Sequence, residues 1–327
     1  MRWFSSRAAS GRMPQHNIFT TRSGFRIGLH PESRKESFLS LCEDIIDITV
    51  RFTNLHGRRI NRNNILQWRP TDREEMEAFI GLHFLAGSFK AHHRQARELW
   101  SERDGHPLFR ATMSYERFAQ LKGVLRFDDK LRRDTNDKLA PVRQIVEIFN
   151  TRLQEVYTPG PFLVIDEMLI EFHGRVAFKQ YIPTKPGKFG IKVFWVVDNE
   201  NTVPLSCLFY IGQSTIPEEE MNESDSVAEA QTLKLVKPFL GKGRNVTADN
   251  YFISVPLARR LLANKTTLVG TIRKNKRDLP QAAKSTTHRK KKNSLHFYAD
   301  DLTLCSFWDE GSSPVLLLST MHASQEN

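Results

Sequence analysis

Residues 162–175 read FLVIDEMLIEFHGR: a short apolar run from Phe162 to Ile165 ends in two carboxylates, Asp166 and Glu167. Burying a strand that ends in acid costs free energy unless a cation meets the charge. A second acid in the same kind of setting is Asp249, in NVTADNYF. In a mixed sheet, acids at the carboxyl ends of neighbouring strands converge on one edge, where ligands bind. Two such carboxylates can hold Mg²⁺, a hard cation that takes oxygen ligands and keeps several waters for a phosphate substrate. A pair of such ions about 4 Å apart can activate a water or a 3′-hydroxyl and stabilise the leaving oxygen of a phosphodiester. That geometry usually takes a third carboxylate. Pattern alone leaves two readings open: a metal-holding pair, or ordinary strand-end acids matched by Lys or Arg. Asp198, closing VFWVVD, reads as a strand-end residue rather than a ligand.

Cations gather near these acids in the sequence. Arg175, Lys185, Lys188 and Lys192 follow the first, and Arg273, Lys274, Lys276 and Arg277 form RKNKR after the second. Phosphate contacts need only placed cations, so these are candidate DNA-binding residues; the other reading is a solvated surface. The 327-residue chain has 48 Lys and Arg against 37 Asp and Glu, a net charge of +11. Such an excess on a folded chain favours a polyanion, nucleic acid being the commonest. HRKKK, with Arg289, Lys290, Lys291 and Lys292, is dense enough for a nuclear-import signal, or is a loop that touches phosphate. Both imply the nucleus. Residues 1–31 carry no acid and include Arg2, Arg7, Arg12, Arg22 and Arg26, which suits a mitochondrial transit peptide or a disordered basic arm. No clean apolar face appears there, so the arm and the nucleus are the expectation, with the mitochondrion as the alternative.

Cys42, Cys207 and Cys305 are far apart, with no CxxC and no clustered His. That argues against a disulfide framework and a structural zinc site, and fits a reducing compartment. No apolar run approaches the length of a membrane span, so no membrane partner is expected.

The elements that must position the acids follow from periodicity. Hydrophobic content of 39% with 22 Phe suffices for real cores. The first half reads helical. SRKE at 33–36 is a capping box ahead of Phe38, Leu41, Ile45, Ile48 and Phe52 at helical spacing. Thr71 and Glu74 read as the cap of a second helix, with Met76, Phe79, Ile80 and His83 on one face. A third starts near Ser114, and a fourth near Val142 carries Ile145, Val146, Phe149, Leu153 and Val156. YTPGP at 157–161 breaks the pattern and marks a boundary. Beyond it, short β-rich runs alternate with two helices, near Val227–Leu240 and after Ser254, describing a mixed α/β sheet with helices packed on it.

At this point the residues resemble a known family. VIDEMLIEFHGRVAFKQYIPTKPGKFGIKVFWVVD is similar to the core signature of piggyBac-type transposases, whose first catalytic Asp lies in a DE pair ahead of GR, YIP, KP and GIK. NVTADNYFISVPLARRLL resembles the segment with their second catalytic Asp, and VGTIRKNKRDLP the strand and basic turn that follow. WRPTDREEMEAFIGLHFLAG, ELWS, MSYERFAQLKGVLRFDD and DKLAPVRQIVEIF resemble the family's N-terminal region, so the match runs from about residue 38 to 310. The resemblance implies an RNase H-like core, with Asp166 and Asp249 as the first two catalytic and metal-binding carboxylates. It further implies Mg²⁺, a helical region for dimerisation and DNA binding, and cut-and-paste transposition by strand nicking and 3′-hydroxyl attack at TTAA.

The family's third catalytic Asp lies in a GGVD…DQ-like motif, and neither that motif nor the cysteine-rich zinc module occurs in these 327 residues. The expected organisation is a basic disordered arm at 1–34, a helical dimerisation and DNA-binding region at 35–158, an RNase H-like catalytic core at 159–285, and a partial, truncated β-rich insertion at 286–327. The expected function is that of a transposase-derived DNA-binding protein without transposition activity on its own. Its partners would be DNA and a second copy or a full-length transposase. The alternatives are a fragment of an active cut-and-paste transposase and a decaying element remnant with no selected role. Loss of a covering helix after TTLVGTIR would leave apolar residues of the sheet exposed, unless the terminal strands cover them.

Overall fold

The structure is a computed structural model and describes residues 1–6, 18–26, 28–29, 31–62, 68–91, 94–212, 215–217, 221–222, 225–287, 289–290, 292–310 and 313–322. Two compact units divide the chain, one of residues 31–152 and one of residues 1–30 with 153–327.

The first unit is helical. Helix α1 (Arg34–Ile60) starts at Ser33, whose hydroxyl accepts from the Glu36 N–H at 3.1 Å. Helix α2 (Arg73–Ser88) starts one residue later than the sequence suggests: Asp72, not Thr71, accepts from the Glu75 N–H at 2.8 Å. The reason is Asn54 of α1. Its side chain donates to the Thr71 carbonyl at 2.7 Å and accepts from the Thr71 N–H at 2.8 Å, holding that residue's backbone. Helices α3 (Pro107–Thr112) and α4 (Tyr115–Val124, capped by Ser114) follow, then α5 (Arg143–Val156), inside which the division of units falls. Ile46, Met76, Phe79, Leu82, Trp100, Phe109, Phe118 and Leu121 form the core.

The second unit is built on a nine-stranded sheet. A two-stranded pair of β1 (Gly24–Phe25) and β2 (Tyr157–Thr158) precedes it. The sheet comprises β3 (Phe162–Glu171), β4 (Gln180–Tyr181), β5 (Phe189–Asp198), β6 (Val203–Phe209), β7 (Asn245–Ala248), β8 (Thr267–Thr271), β9 (Asn293–Ala299), β10 (Leu302–Trp308) and β11 (Val315–Ser319). Its order is β4-β5-β3-β7-β8-β11-β10-β9, with β6 also paired to β5. Strands β3, β5 and β6 are antiparallel neighbours, whereas β7 and β8 run parallel to β3. The crossovers between β6, β7 and β8 carry α6 (Val227–Val236) and α7 (Val255–Ala263), and α8 (Gln281–Lys284) precedes β9. This is the expected mixed α/β, RNase H-like arrangement.

Strand alternation makes one face of the sheet the core. Leu163 and Ile165 of β3, Phe194 and Val196 of β5, Val246 and Ala248 of β7, Leu268 of β8 and Leu316 and Leu318 of β11 are buried with Leu235 of α6 and Leu257 and Leu261 of α7. One carboxylate staples the two helices. Glu229 accepts from the Ser226 N–H at 2.9 Å, completing the capping box of α6, and also accepts from the hydroxyl of Ser254, which caps α7.

The opposite face is open. Phe162, Met168 and Ile170 of β3, Phe307 of β10, and Val315 and Leu317 of β11 are exposed there. The terminal strands therefore continue the sheet edge to edge from β8 and leave that face uncovered among the described residues. Parts of the basic arm are tied to this unit. Phe4 bridges Tyr298 of β9, the Trp3 indole donates to the Asp278 carbonyl at 2.7 Å, and β1 belongs to this unit. Arg7 and Arg12 lie outside the described residues.

Close approach of β7 and β8 depends on Gly270, where a Cβ would lie 2.0 Å from the Ala248 carbonyl oxygen and 2.5 Å from Ile253 Cδ1. Gly270→Ala is expected to lower stability by roughly 1–3 kcal/mol through overpacking against backbone. A urea unfolding midpoint equal to that of the unsubstituted protein would contradict that account.

Candidate nucleic-acid cleavage site

Parallel pairing of β3 with β7 brings the two predicted acids together. Ile165 is in register with Ala248, both buried, so the next residues, Asp166 and Asp249, sit side by side on the open face. Adjacent strands lie about 4.8 Å apart. On the far side of β7, Ala248 is in register with Gly270, which sets Thr271 opposite Asp249.

Each carboxylate is held at one oxygen. Asp166 Oδ1 accepts from the Glu167 N–H at 2.7 Å, and Asp249 Oδ1 accepts from the Thr271 hydroxyl at 3.0 Å. The other oxygen of each has no hydrogen-bond partner among the described residues, and neither acid is in an ion pair there. Among the described residues, neither acid is matched by Lys or Arg. It is Glu167, one residue on and on the opposite face, that lysines answer: Lys185 at 3.5 Å and Lys192 at 3.6 Å. Beside Asp166 a cleft of about 330 Å³ is lined by Asp166, Glu167, Met168, Trp195, Val197 and Pro204.

Two exposed carboxylates on neighbouring strands, each with an unused oxygen, suit a hard divalent ion that keeps positions for water and phosphate. Among the described residues no group of three or more His, Cys, Asp or Glu is placed to hold a metal. Asp166 and Asp249 are the two carboxylates that the open face offers such an ion.

The strand does not end at Asp166 as the sequence suggests: β3 runs on to Glu171, whereas β7 and β8 stop level with Asp166, so RKNKR after β8 leaves the sheet at the acids' level while Arg175 and Lys188 lie past the end of β3. Arg175, between β3 and β4, and Lys188, between β4 and β5, are exposed, as are Arg273, Lys274 and Arg277 after β8, while Lys276 is half-buried. Arg273 donates to Asn250 Oδ1 at 2.9 Å, and Lys274 to the Ser313 hydroxyl at 2.6 Å. Lys192 departs from the phosphate-binding expectation. Besides Glu167, its ammonium lies 4.9 Å from the ring centres of both Phe194 and Tyr251, so it is a packed cation. Strand β9 runs opposite to β8, so its start, with Lys290 and Lys292, reaches the same end of the sheet. Arg289 is pinned to β10, donating to the Ser306 hydroxyl at 2.8 Å and to the Asn293 carbonyl at 2.9 Å. A side chain so held is not free to enter an import receptor as part of an extended peptide. Lys291 lies outside the described residues.

Asp198 stands at the other end, opposite Leu163 in the antiparallel pair, and is fully buried. Its carboxylate accepts from the Tyr157 hydroxyl and the Gly160 N–H, both at 2.8 Å, and from the Glu200 N–H at 2.9 Å. Nearby, buried Arg244 donates to the carbonyls of Pro159, Gly160 and Phe239. Asp198 is structural, as its place in the sequence suggests, whereas Thr271, Asn250, Trp195 and Arg244 carry no sequence signal that marks them. Thr271 and Asp249 share no local spacing, and only the β7–β8 register joins them.

The fold is a mixed, RNase H-like sheet with one acid within β3 and the other just after the neighbouring parallel β7, and comparison with known proteins gives the family. The profile of the family described as Transposase IS4 matches residues 36–326, and the chain belongs to that family, in its piggyBac-type branch. PiggyBac transposable element-derived protein 3 of Homo sapiens is 26% identical over 268 residues, covering 80% of this chain and 43% of the relative. PiggyBac transposable element-derived protein 2 of Homo sapiens is 22% identical over 277 residues, covering 82% of this chain and 45% of the relative. The chain thus spans somewhat less than half the length of these relatives. A solved piggyBac transposase, in a synaptic complex with hairpin DNA, superposes with a TM-score of 0.83 and 32% identity over 93% of this chain and 64% of that one.

The Asp198 clasp makes stability pH-dependent. Burial works against its charge, but the hydrogen bonds from Gly160, Tyr157, Glu200 and Asn201 outweigh it and hold the carboxyl below its ordinary value. A depressed folded pKa means the contribution is fully present above the unfolded value of about 3.9 and is lost as pH falls through the folded one. Tyr157, pushed up to about 12 by burial and by its bond to Asp198, adds a contribution that is lost as pH rises from about 10 towards that value. Asp198→Asn is expected to destabilise at neutral pH and to flatten the acid limb below about pH 4. An acid limb as steep in Asp198→Asn as in the unsubstituted protein, measured by thermal unfolding from about pH 6 down to about pH 2.5, would sink this assignment.

Proposed function

We propose that this chain is a transposase-derived DNA-binding protein that holds Mg²⁺ in a two-carboxylate half-site and does not carry out transposition by itself. The observation that carries this reading is the pair Asp166 and Asp249, side by side on an open sheet face with one unused oxygen each and no third ligand among the described residues. Exposed Arg273, Lys274 and Arg277 follow β8 at the level of that pair and would contact the phosphates that flank it, with Lys290 and Lys292 before β9 and Arg175 and Lys188 past the end of β3 available to phosphates further along. Bound there, Mg²⁺ would set positive charge against phosphodiester oxygens. The two Asp side chains would hold it, Thr271 would orient Asp249, and the basic rim would set the register of the strand. With DNA as the working partner, the nucleus is the compartment this reading requires. A second copy or a longer transposase chain is the protein partner it admits. No helix among the described residues is long and apolar enough to cross a membrane.

A second reading, a site completed by further polypeptide into an active cut-and-paste enzyme, is favoured by the same unused oxygens, because nothing has replaced the metal with a salt bridge. Excision assays separate the two. The 327-residue polypeptide with Mg²⁺ and a terminal-repeat substrate is expected to give no excision, and Mg²⁺-dependent excision would establish the second reading.

Binding itself is read from salt dependence. Log affinity against log salt should fall with a slope of about −0.9 per neutralised phosphate on duplex DNA, and Arg273→Glu with Arg277→Glu should make that slope shallower by roughly one for each phosphate no longer met. A flat dependence in the unsubstituted protein would mean the rim does not touch phosphate.

A further inference from the structure

We infer that Thr271 is a positioning residue that fixes the Asp249 carboxylate for metal binding; this rests on the reading of Asp166 and Asp249 as a metal half-site. The terminal torsion of an Asp side chain is broad, so an exposed carboxylate presents either oxygen in many orientations unless something restrains it. Asp166 is restrained by the N–H of its own neighbour, Glu167. For Asp249 the restraint comes instead from the next strand, where the Thr271 hydroxyl donates to Oδ1 at 3.0 Å and leaves Oδ2 for a ligand.

The placement of that hydroxyl follows from three features. The parallel register of Ala248 with Gly270 sets residue 271 across from residue 249. Gly270 allows the strands to close, since a Cβ there would collide with the Ala248 carbonyl. Thr is stiff at χ1, so its hydroxyl is held rather than sampled. On its other side Thr271 is in register with Leu317 of β11, whose side chain offers no acceptor. The next residue of the acid loop is held from the same strand end, with Arg273 donating to Asn250 Oδ1 at 2.9 Å and lying 5.8 Å from the Tyr251 ring centre. Residues 271 and 273 together hold the tip that carries Asp249, which is the task outer-layer partners perform at metal sites.

Mn²⁺ serves as the probe, its free concentration read by electron paramagnetic resonance, with unsubstituted protein, Thr271→Val, Thr271→Ser and Asp249→Asn compared under the same conditions. Loss of an outer-layer hydrogen bond typically costs about 10–100-fold in metal affinity. Thr271→Val, which keeps the β-branched shape, is expected to weaken Mn²⁺ binding about 10-fold, because the carboxylate loses the hydroxyl that orients it. Thr271→Ser, which keeps the hydroxyl, is expected to bind within about 2-fold of the unsubstituted protein, the donor being retained. Equal weakening in the Val and Ser variants would assign the effect to strand packing and overturn the inference. So would unchanged binding in Thr271→Val alongside loss in Asp249→Asn. Unchanged binding in Asp249→Asn would instead remove the metal half-site itself.

Discussion

The parallel register across β3, β7 and β8 is the constraint on which the site depends. Side chains alternate along a strand, so a slip of one residue between β3 and β7 would send Asp249 into the core face while Asp166 stayed on the open one. What resists that slip is apolar burial: Leu163 with Val246, and Ile165 with Ala248, are matched pairs on the buried face. The acids inherit their alignment from hydrophobic neighbours one position earlier. The close approach at Gly270 extends the same logic to β8, and with it the Thr271 hydroxyl.

Buried polar groups hold the frame at its other end. Asp198 and Arg244 are fully buried, and each meets backbone groups of the segment at 159–160, where the chain turns into β3. A buried charge of this kind is tolerated because several bonds satisfy it, and removing a partner leaves unmet groups in an apolar setting. Glu229 does the equivalent for the helices, joining the caps of α6 and α7 through one carboxylate. Because α7 begins just after the loop that carries Asp249, that staple also limits where the loop can go. Charged residues inside this unit thus serve the architecture, while those left unpaired on its surface are available for a ligand.

The functional contrast is sharpest at the DE pair. Glu167 faces Lys185 and Lys192 across a half-buried cluster with Phe194 and Tyr251, and its charge is met within the protein. Asp166, one residue earlier, points to the other face and meets no cation among the described residues. Two adjacent acids in the same strand thus meet different surroundings, separated by strand alternation alone.

The sequence by itself determined most of the elements and the family. Helical spacing marked α1, α4 and α5, β-rich runs marked the strands, and VIDEM and TADNY carried both the acids and the resemblance to a transposase family, because periodicity and short motifs are local properties of a chain. The cap of α2 falls one residue later than the sequence suggests, since Asn54, far away in the chain, decides which backbone groups are already satisfied. The basic candidates are legible as a group, yet only the structure separates exposed Arg277 and Lys188 from packed Lys192 and pinned Arg289. Tertiary structure alone decided that Asp166 and Asp249 share a face and that Thr271 serves the second of them. Pairings between strands are set by burial and register across the sheet, and neither is written in the spacing of residues along one strand.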